Sequence, residues 1–428
     1  MAKIVVVGGG IGGLAGAYEL RHELGASHEV ILVNEREDFW FTPSNPWVAV
    51  GWREAREISF PIRIHAEKKG IRFIAKRVDH IDPERQILTL ADGSNLNFDY
   101  LVIVTGPKLA FDDVPGAGPE GFTQSVCTLD HALKTRLEVD QLLKQPGPVI
   151  VGALPGASCF GPAYEYLMIL ETVLRRAKKR HKVPMTYVTS EPYVGHLGLG
   201  GVGDSKGMME SLLRDRSIKW ICNARTTRIE QGRMFVEELN TEGQVVKNHE
   251  LPFVHSMMLP AFKGVDAVAQ VPGLCNPRGF VLIDAQQRSV RYPNIYSAGV
   301  CVAIPPVEVT PVPTGAPKTG YMIESMMTTI ATNIKTVLGG EPAVAEASWN
   351  AFCLADFGDT GAAFVAVPQL PPRNTTWYKK GVWAHWAKVG FEKYFLLKMK
   401  KGMPEPLFER LALKVIGLKR IDPDLSRQ

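Results

Sequence analysis

Hydrophobic runs and amphipathic segments alternate along most of the chain. The first run, Ile4–Val7, is followed by a glycine-rich turn, a helix-like segment and a second run at Val30–Val33. The same order recurs from Pro148–Gly152, where a turn and a long helix-like segment lead to another run at Met185–Thr189. Short strands that alternate with helices predict doubly wound α/β domains with mostly parallel sheets.

Further strands are predicted at Tyr100–Gly106 and Asn294–Gly299, and short alternating runs around Arg72–Thr89 are typical of a hairpin. A proline-rich passage precedes a predicted helix at Gly320–Leu338. After about residue 340 the composition changes to Trp, Phe, Lys and Arg. We therefore predict two Rossmann-like dinucleotide-binding domains and a C-terminal amphipathic helical region. The predicted limits are 1–112 with 276–340 for the first domain, 113–275 for the second and 341–428 for the last region.

The net charge of +5 over 428 residues is unevenly distributed. Residues 373–428 hold 13 Lys or Arg and 5 Asp or Glu, a local net charge of +8, so residues 1–372 carry −3. A basic excess confined to one region does not indicate nucleic acid as a partner. Tryptophans and phenylalanines alternate with lysines there. They predict two short amphipathic helices, joined at Gly402–Pro404, that suit insertion into an anionic lipid surface, with a core-packing helix pair as the alternative.

The chain enters a predicted strand at Lys3, which leaves no room for a signal peptide. A membrane-spanning helix needs roughly 18 or more predominantly apolar residues, and no stretch offers that many without interruption. We therefore expect a peripheral membrane protein on the cytoplasmic face of the cell membrane.

The first turn carries the dinucleotide fingerprint Gly8-x-Gly10-x-x-Gly13 between a strand and a helix. Its glycines permit a tight turn and the close approach of a pyrophosphate, whose charge meets the helix N-terminus. Glu35 follows 22 residues after Gly13 and suits the ribose hydroxyls of an adenosine. These residues predict a bound dinucleotide.

The second turn departs from this pattern. In the run Gly152–Pro162, Leu154 stands where the middle glycine would admit a pyrophosphate, and Cys159 lies within the turn. We predict that this domain no longer binds NAD(P)H. An irregular but functional NADH loop is the alternative.

The six cysteines, at positions 127, 159, 222, 275, 301 and 353, form no CxxC pair and show no metal-ligand spacing, so no metal is predicted. A reactive pair must therefore be brought together by the fold. The helix N-terminus next to Cys159 is expected to lower the pKa of its thiol. The alternative is a small buried residue.

Several long, unusual strings make the whole chain resemble the bacterial sulfide:quinone oxidoreductases, which belong to the flavoprotein disulfide reductase superfamily. The strings are Pro43–Trp47, Cys127–Ala132, Gly156–Glu165, Pro313–Gly320 and Cys353.

The resemblance to flavoproteins of the glutathione reductase type implies FAD as the cofactor. Thr105 and Gly106 end one strand of the expected FAD site, and Gly299 ends another. That family usually has an Asp after the last of these glycines, whereas this chain has Val300. Lys318, at the start of a helix, is expected to stabilise the reduced flavin.

The resemblance also implies the chemistry. Cys159 and Cys353 would form a redox pair, bridged by a disulfide or by extra sulfur, that sulfide attacks; the electrons then pass to the flavin. Cys127 would be a third thiol whose role is left open, as are the sulfur product and any covalent bond to FAD. The remaining cysteines are expected to be structural.

Three further residues resemble proton-handling or acidic positions of the family. His131 lies four residues after Cys127 and is expected on the same helical face, and His196 begins a glycine-rich loop. Glu165, six residues after Cys159, suits either a buried acid near the sulfur site or an ion-paired helix residue.

The expected quinone site lies on the other flavin face and comprises Phe41, Phe391, Gly320 and Tyr321. The quinone would enter from lipid between the tail helices. The implied function is oxidation of sulfide to polysulfide or sulfur with reduction of membrane quinone. A type II NADH:quinone oxidoreductase is the main alternative; a cytochrome-linked sulfide dehydrogenase and a non-catalytic flavin scaffold are weaker ones. The oligomeric state is left open.

Overall fold

The computed structural model describes residues 1–415 and 417–421. In chain order the strands are β1 (Lys3–Val7), β2 (Glu29–Asn34), β3 (Asp38–Trp40), β4 (Ser59–Pro61), β5 (Ile71–Ala75), β6 (Val78–Asp82), β7 (Ile87–Leu90), β8 (Asn95–Asn97), β9 (Tyr100–Ile103), β10 (Lys108–Ala110), β11 (Val149–Ala153), β12 (Met185–Thr189), β13 (Ile218–Ile221), β14 (Ala224–Glu230), β15 (Arg233–Leu239), β16 (Val245–Pro252), β17 (His255–Leu259), β18 (Ala261–Lys263), β19 (Ile295–Ser297), β20 (Ala351–Asp356), β21 (Gly361–Val367) and β22 (Thr375–Lys380).

The α-helices are α1 (Ile11–Leu24), α2 (Asn45–Ala49), α3 (Ile62–Glu67), α4 (Leu129–Lys144), α5 (Gly161–Arg176), α6 (Ser205–Asp215), α7 (Asp266–Ala269), α8 (Gly320–Leu338), α9 (Val382–Lys401) and α10 (Leu407–Val415).

A five-stranded parallel sheet of order β19-β9-β1-β2-β5 forms the first unit. Its strands are buried on both faces, which explains why they are continuous hydrophobic runs. The small antiparallel sheet β6-β7-β8 covers one face, and α1 and α8 cover the other. A Cβ at Gly16 would lie 2.1 Å from Met327 Cε, so this glycine lets α8 pack closely on α1.

A second parallel sheet, of order β13-β12-β11-β17, forms the second unit. The antiparallel sheet β14-β15-β16 packs on one face of it, while α4 and α5 pack on the other. The predicted α/β class with two Rossmann-like units is therefore confirmed. The predicted domain limits stay predictions.

Two details differ from the sequence-based expectations. The predicted hairpin around Arg72–Thr89 is formed by β6 and β7, whereas β5 pairs with β2 in the parallel sheet, because its alternate residues are buried there. The region after residue 340 also begins with an antiparallel sheet, β20-β21-β22, before its two helices. The helices themselves lie on either side of Gly402–Pro404 as predicted.

Candidate active site

The turn between β1 and α1 has the shape that a pyrophosphate requires. Gly8 has a φ of +113°, and a Cβ there would lie 2.3 Å from the carbonyl oxygen of Val104. A Cβ at Gly13 would lie 1.7 Å from the carbonyl oxygen of Gly8, whereas one at Gly10 would meet nothing within 4 Å. No side chain caps the N-terminus of α1. Its first amides therefore face an open position that suits an anion.

The other predicted dinucleotide residues lie at the same edge of the first sheet. Glu35 directly follows β2 and is exposed, and Asn34 Oδ1 accepts a hydrogen bond from Gly9 N at 2.8 Å. Gly106 follows β9 with a φ of +69°, and Gly299 follows β19 with a φ of +81°. Thr105 Oγ1 donates to the carbonyl oxygen of Gly106 at 3.1 Å. The glycine turn and these strand ends together fit an extended dinucleotide such as FAD.

Lys318 lies two residues before α8 and close to the second turn. Burial lowers the pKa of Lys318 to about 8, although thiolates at Cys301 and Cys159 would raise it. Its Nζ lies 5.4 Å from the ring centroid of Phe280. A desolvated lysine stabilises an anion that forms beside it.

The turn between β11 and α5 is held by the protein itself. Leu154 is buried in the core of the second unit. Gly156 N donates to the carbonyl oxygen of Pro313 at 2.7 Å, and Gly315 N donates to that of Ala157 at 2.9 Å. Leu154, which stands where a nucleotide-binding turn would have a glycine, thus lies in a loop whose backbone is hydrogen-bonded to the segment before α8.

Three cysteines converge beside this turn from distant parts of the chain. Cys159 lies in the turn itself, Cys127 just before α4, and Cys353 in the middle of β20. A thiolate on Cys159 would raise the pKa of both Cys127 and Cys353, so its sulfur lies near each of them. All six cysteines have free thiols in the structure, so the predicted bridge between Cys159 and Cys353 stays a prediction.

The expectation of a lowered thiol pKa at Cys159 is wrong. Burial raises the pKa of Cys159 to about 11, and the carboxyl of Glu165 adds to the effect while Lys318 opposes it. Burial likewise raises the pKa of Cys127 and of Cys353 to about 12. Desolvation of the thiolate therefore outweighs the helix N-terminus.

Hydrogen bonds from α2 fix two of the three cysteine segments. Asn45 Nδ2 donates to the carbonyl oxygen of Val126 at 2.9 Å, next to Cys127. Trp47 Nε1 donates to Asp356 Oδ2 at 2.6 Å, at the end of the strand that carries Cys353. The string Pro43–Trp47 thus holds the sulfur site together, a role that its sequence alone did not indicate.

Glu165 is both buried and ion-paired, so it meets both sequence-based alternatives. Its Oε1 accepts hydrogen bonds from Lys388 Nζ and, at 2.9 Å, from the backbone N of Asp356. Burial raises the pKa of Glu165, and the positive charge of Lys388 opposes that rise. The same two groups act in opposite directions on the pKa of Cys353, so the pair lies close to the thiols.

Lys388 and Lys398 belong to the lysines that the sequence assigned to a lipid-facing tail, but both are buried. Lys398 Nζ pairs with Glu324 at 2.8 Å and with Glu409 at 2.9 Å, which ties α9 to α8 and α10. His385, also on α9, lies 2.7 Å from Asp356 Oδ1 through its Nδ1. The tail is thus partly a structural extension of the sulfur site.

The two predicted histidines have different surroundings. Cys127 precedes α4, so the expectation that it shares a helical face with His131 is wrong; the helix begins only at Leu129, after its cap Thr128. Burial lowers the pKa of His131, whose Nδ1 has no described hydrogen-bond partner.

His196 is fully buried. Its Nδ1 accepts from Gly198 N at 3.2 Å, which leaves Nε2 to donate to Glu308 Oε1 at 2.7 Å. Burial lowers the pKa of His196, and Glu308 opposes the shift.

Two of the predicted quinone residues, Phe41 and Phe391, lie close together, and the other two, Gly320 and Tyr321, form the start of α8. The ring centroids of Phe41 and Phe391 are 6.2 Å apart, and Phe395 lies 5.2 Å from Phe41. Phe41 is buried and Phe391 is 40% exposed. Gly320 is exposed, while the hydroxyl of Tyr321 is buried without a described partner. The aromatic rings contact each other, and their role with quinone stays a prediction.

Large apolar side chains are exposed on the outer faces of α9 and α10. They are Val382, Trp383, Trp386, Phe391, Leu397, Leu407, Phe408, Leu411 and Val415. Neither these helices nor any other in residues 1–415 and 417–421 has the length and apolar character to cross a membrane. The same residues contain no cluster of His, Cys, Asp or Glu that could hold a metal ion.

The two dinucleotide-type units, with cysteines gathered at the second turn, define a disulfide oxidoreductase that binds FAD. A family model described as pyridine nucleotide-disulphide oxidoreductase matches residues 2–322. The sulfide-quinone reductase of Aquifex aeolicus (strain VF5) is 43% identical over 418 residues, which cover 97% of this chain and 95% of that protein. The chain therefore belongs to the sulfide-quinone reductases of the pyridine nucleotide-disulphide oxidoreductase family.

Solved structures agree with this assignment. The crystal structure of the sulfide:quinone oxidoreductase from Aquifex aeolicus superposes with a TM-score of 0.95 at 41% identity, over 99% of this chain and 98% of that one. The NDH2 structure from Plasmodium falciparum in complex with NADH has a TM-score of 0.72 at 15% identity, over 98% and 100% of the two chains. The likeness to NDH2 shows a shared fold alone.

A mouse mitochondrial sulfide:quinone oxidoreductase is 24% identical over 312 residues, 71% of this chain and 66% of that protein.

Replacing Lys388 with Met is expected to destabilise the fold by about 3–5 kcal/mol, because it leaves the Glu165 carboxyl buried without its partner. The midpoint of denaturant unfolding measures the change. Lys393→Met alters an exposed lysine on the same helix and is expected to change stability by less than about 0.5 kcal/mol. The double variant Glu165→Gln/Lys388→Met should recover most of the loss. Equal midpoints for the two lysine variants would contradict the buried pair.

The Cys159 thiol of the reduced protein is expected to react slowly with iodoacetamide at neutral pH. Its pKa of about 11 means that the thiolate fraction, and hence the rate, rises about tenfold per pH unit through pH 10. Site-resolved mass spectrometry of the alkylated peptide measures the rate. The same peptide in unfolded protein serves as the control, with an inflection near pH ~8.5. An inflection below that value in the folded protein would refute the effect of burial.

Proposed function

We propose that this protein oxidises sulfide at the Cys159–Cys353 pair and passes the two electrons through FAD to a quinone at a membrane surface. The observation that carries the proposal is the convergence of three half-buried cysteines on the second turn, in place of a glycine turn for a nicotinamide nucleotide. The sequence identity to a sulfide-quinone reductase over nearly the whole chain supports the same activity.

In the proposed cycle, HS⁻ attacks one sulfur of a Cys159–Cys353 disulfide. A new S–S bond forms to that cysteine, the cysteine–cysteine bond breaks, and the other cysteine leaves as a thiolate. Bound FAD supplies a two-electron acceptor between the sulfur pair and quinone. The net reaction oxidises sulfide by two electrons to polysulfide or sulfur and reduces quinone, which takes up two protons. Which of the two cysteines carries the persulfide is left open.

Each of the surrounding residues has a proposed role. Glu165 accepts the proton that sulfide releases; burial raises the pKa of its carboxyl, and the positive charge of Lys388 opposes that rise. His131 and His196 handle protons, and Cys127 is the third thiol that assists sulfur release. Lys318 stabilises negative charge beside the second turn.

The proposed cofactor contacts come from the first unit. The turn at Gly8, Gly10 and Gly13 would hold the FAD pyrophosphate, Glu35 the ribose, and Thr105, Gly106 and Gly299 the strand ends beside it. The quinone ring would bind at Phe41, Phe391, Gly320 and Tyr321. We keep residues 1–112 with 276–340 as the FAD domain, residues 113–275 as the second domain, and residues 341–428 as the quinone and membrane region.

We further propose that the exposed apolar faces of α9 and α10 insert at a lipid surface. Trp386 is 65% exposed, Leu411 is 62% exposed, and lysines such as Lys393 and Lys400 stand beside them to meet anionic headgroups. The cytoplasmic leaflet supplies such a surface. The quinone would then reach its site without leaving the lipid.

Anaerobic absorbance of the purified protein tests the activity. Sulfide is expected to bleach the flavin band and decylubiquinone to restore it, while NADH alone leaves the band unchanged. Cys159→Ala should remove the bleaching, whereas Cys275→Ala, which changes a half-buried cysteine away from the site, should leave it intact. Bleaching by NADH and not by sulfide would instead favour a type II NADH dehydrogenase.

Trp386→Glu is expected to weaken binding to vesicles that contain anionic lipid by at least roughly tenfold, because it replaces an inserted apolar ring with a repelled charge. Vesicle co-sedimentation at low and high salt measures the affinity. Leu137→Glu changes a residue of similar exposure on α4 and should bind like the unmodified protein. Equal losses in both variants would place the lipid contact elsewhere.

A further inference from the structure

Glu191 occupies in the second strand–helix–strand unit the place that Glu35 occupies in the first. The elements β11, α5 and β12 repeat the arrangement of β1, α1 and β2, with parallel strands in each pair. Glu35 directly follows β2, and Glu191 is the second residue after β12. In dinucleotide-binding units an acid at this edge accepts hydrogen bonds from the adenosine ribose.

The two acids have opposite surroundings. Glu35 is exposed. Glu191 is completely buried, and its Oε2 accepts hydrogen bonds from Tyr164 Oη at 2.7 Å, Thr189 Oγ1 at 2.8 Å and Tyr187 Oη at 3.3 Å. Its Oε1 accepts from the backbone N of Leu197 at 2.7 Å. Both oxygens are therefore occupied by groups of the protein and are not available to a ribose.

The bonds of Glu191 hold the loop that carries His196. One runs directly to the backbone N of Leu197, and the second runs through Tyr164, whose Oη also accepts from Gly195 N at 2.9 Å. His196 thus lies between two anchored amides. Leu197 has a φ of +62°, a left-handed conformation that costs free energy for a residue with a side chain and persists only where neighbouring contacts hold it.

The anchored loop forms a wall of the cysteine turn. A Cβ at Gly198 would lie 2.3 Å from the carbonyl oxygen of Gly315 and 3.3 Å from the ring of Phe160. Phe160 directly follows Cys159 in the chain. A displacement of the loop would therefore be transmitted to the turn that carries the central cysteine.

We propose that Glu191 is a positioning residue for the sulfide site: the acid that would hold the ribose of a nicotinamide nucleotide is turned inward and anchors the His196 loop against the Cys159 turn. The catalytic consequence rests on the proposed function, whereas the anchoring does not.

Glu191→Gln tests the anchoring because it preserves size but replaces one acceptor oxygen with an NH2 donor that faces other donors. Hydrogen–deuterium exchange of the holoprotein is expected to show amides in residues 193–201 exchanging at least tenfold faster, with exchange in β11 unchanged. The kcat/KM for sulfide should fall about tenfold while the KM for decylubiquinone stays the same. Unchanged exchange in residues 193–201 would overturn the proposal.

Two more variants keep the test decisive. Tyr187→Phe removes the longest of the four bonds and leaves both anchored amides in place, so its loop exchange should match that of the unmodified protein. Tyr164→Phe keeps the Glu191 carboxylate but removes the acceptor of the Gly195 N hydrogen bond. This variant replaces Glu191→Gln in the test if Glu191→Gln does not fold. Slow exchange of the Gly195 amide in Tyr164→Phe would overturn the proposal.

A protein that does not oxidise sulfide would overturn the proposed function, whereas the exchange results would still test the anchoring by Glu191.

Discussion

The sulfur site depends on one buried ion pair, which joins the last long helix of the protein to the helix that begins at the central cysteine turn. Lys388 of α9 and Glu165 of α5 are both removed from water, and each would be costly there without the other. Because Glu165 also accepts a hydrogen bond from the backbone N of Asp356, the ion pair fixes the strand that carries Cys353. Asn45 of α2 fixes the segment of Cys127 through its hydrogen bond to Val126. The ion pair and these hydrogen bonds thus bring together thiols that lie far apart in sequence.

The two Rossmann-like units show how similar architectures serve different ends. In the first, open amides and glycines at the sheet edge leave room for a dinucleotide. In the second, the corresponding room is taken by protein groups: Leu154 enters the core, the turn is tied to residues 313–315, and the acid after β12 is turned inward. The parallel sheet is unaffected by these changes, because its stability comes from strands that are buried on both faces.

Much of the fold was predictable from the sequence because it depends on local patterns. The hydrophobic runs gave β1, β2, β11 and β12, and helix α8 has the predicted bounds. The cysteines could be grouped only by resemblance, since no local pattern joins residues 127, 159 and 353. The C-terminal region shows most clearly what could not be predicted from the sequence. The buried stripe of α9 contains Ala384, Lys388, Glu392 and Met399, and lysine or glutamate in such a stripe is indistinguishable from a solvated face until its partners are known. The sheet β20-β21-β22 was missed because the aromatic and lysine content of this region was interpreted as helical throughout.

The separation of the ion pair along the chain has a consequence for how the protein is made. Glu165 leaves the ribosome 223 residues before Lys388 does. Without Lys388 the Glu165 carboxyl has no compensating charge, and its burial beside the cysteine turn is costly. Complete enclosure of that turn therefore requires α9, and the long separation of the two partners makes the enclosed sulfur site a property of a nearly complete chain.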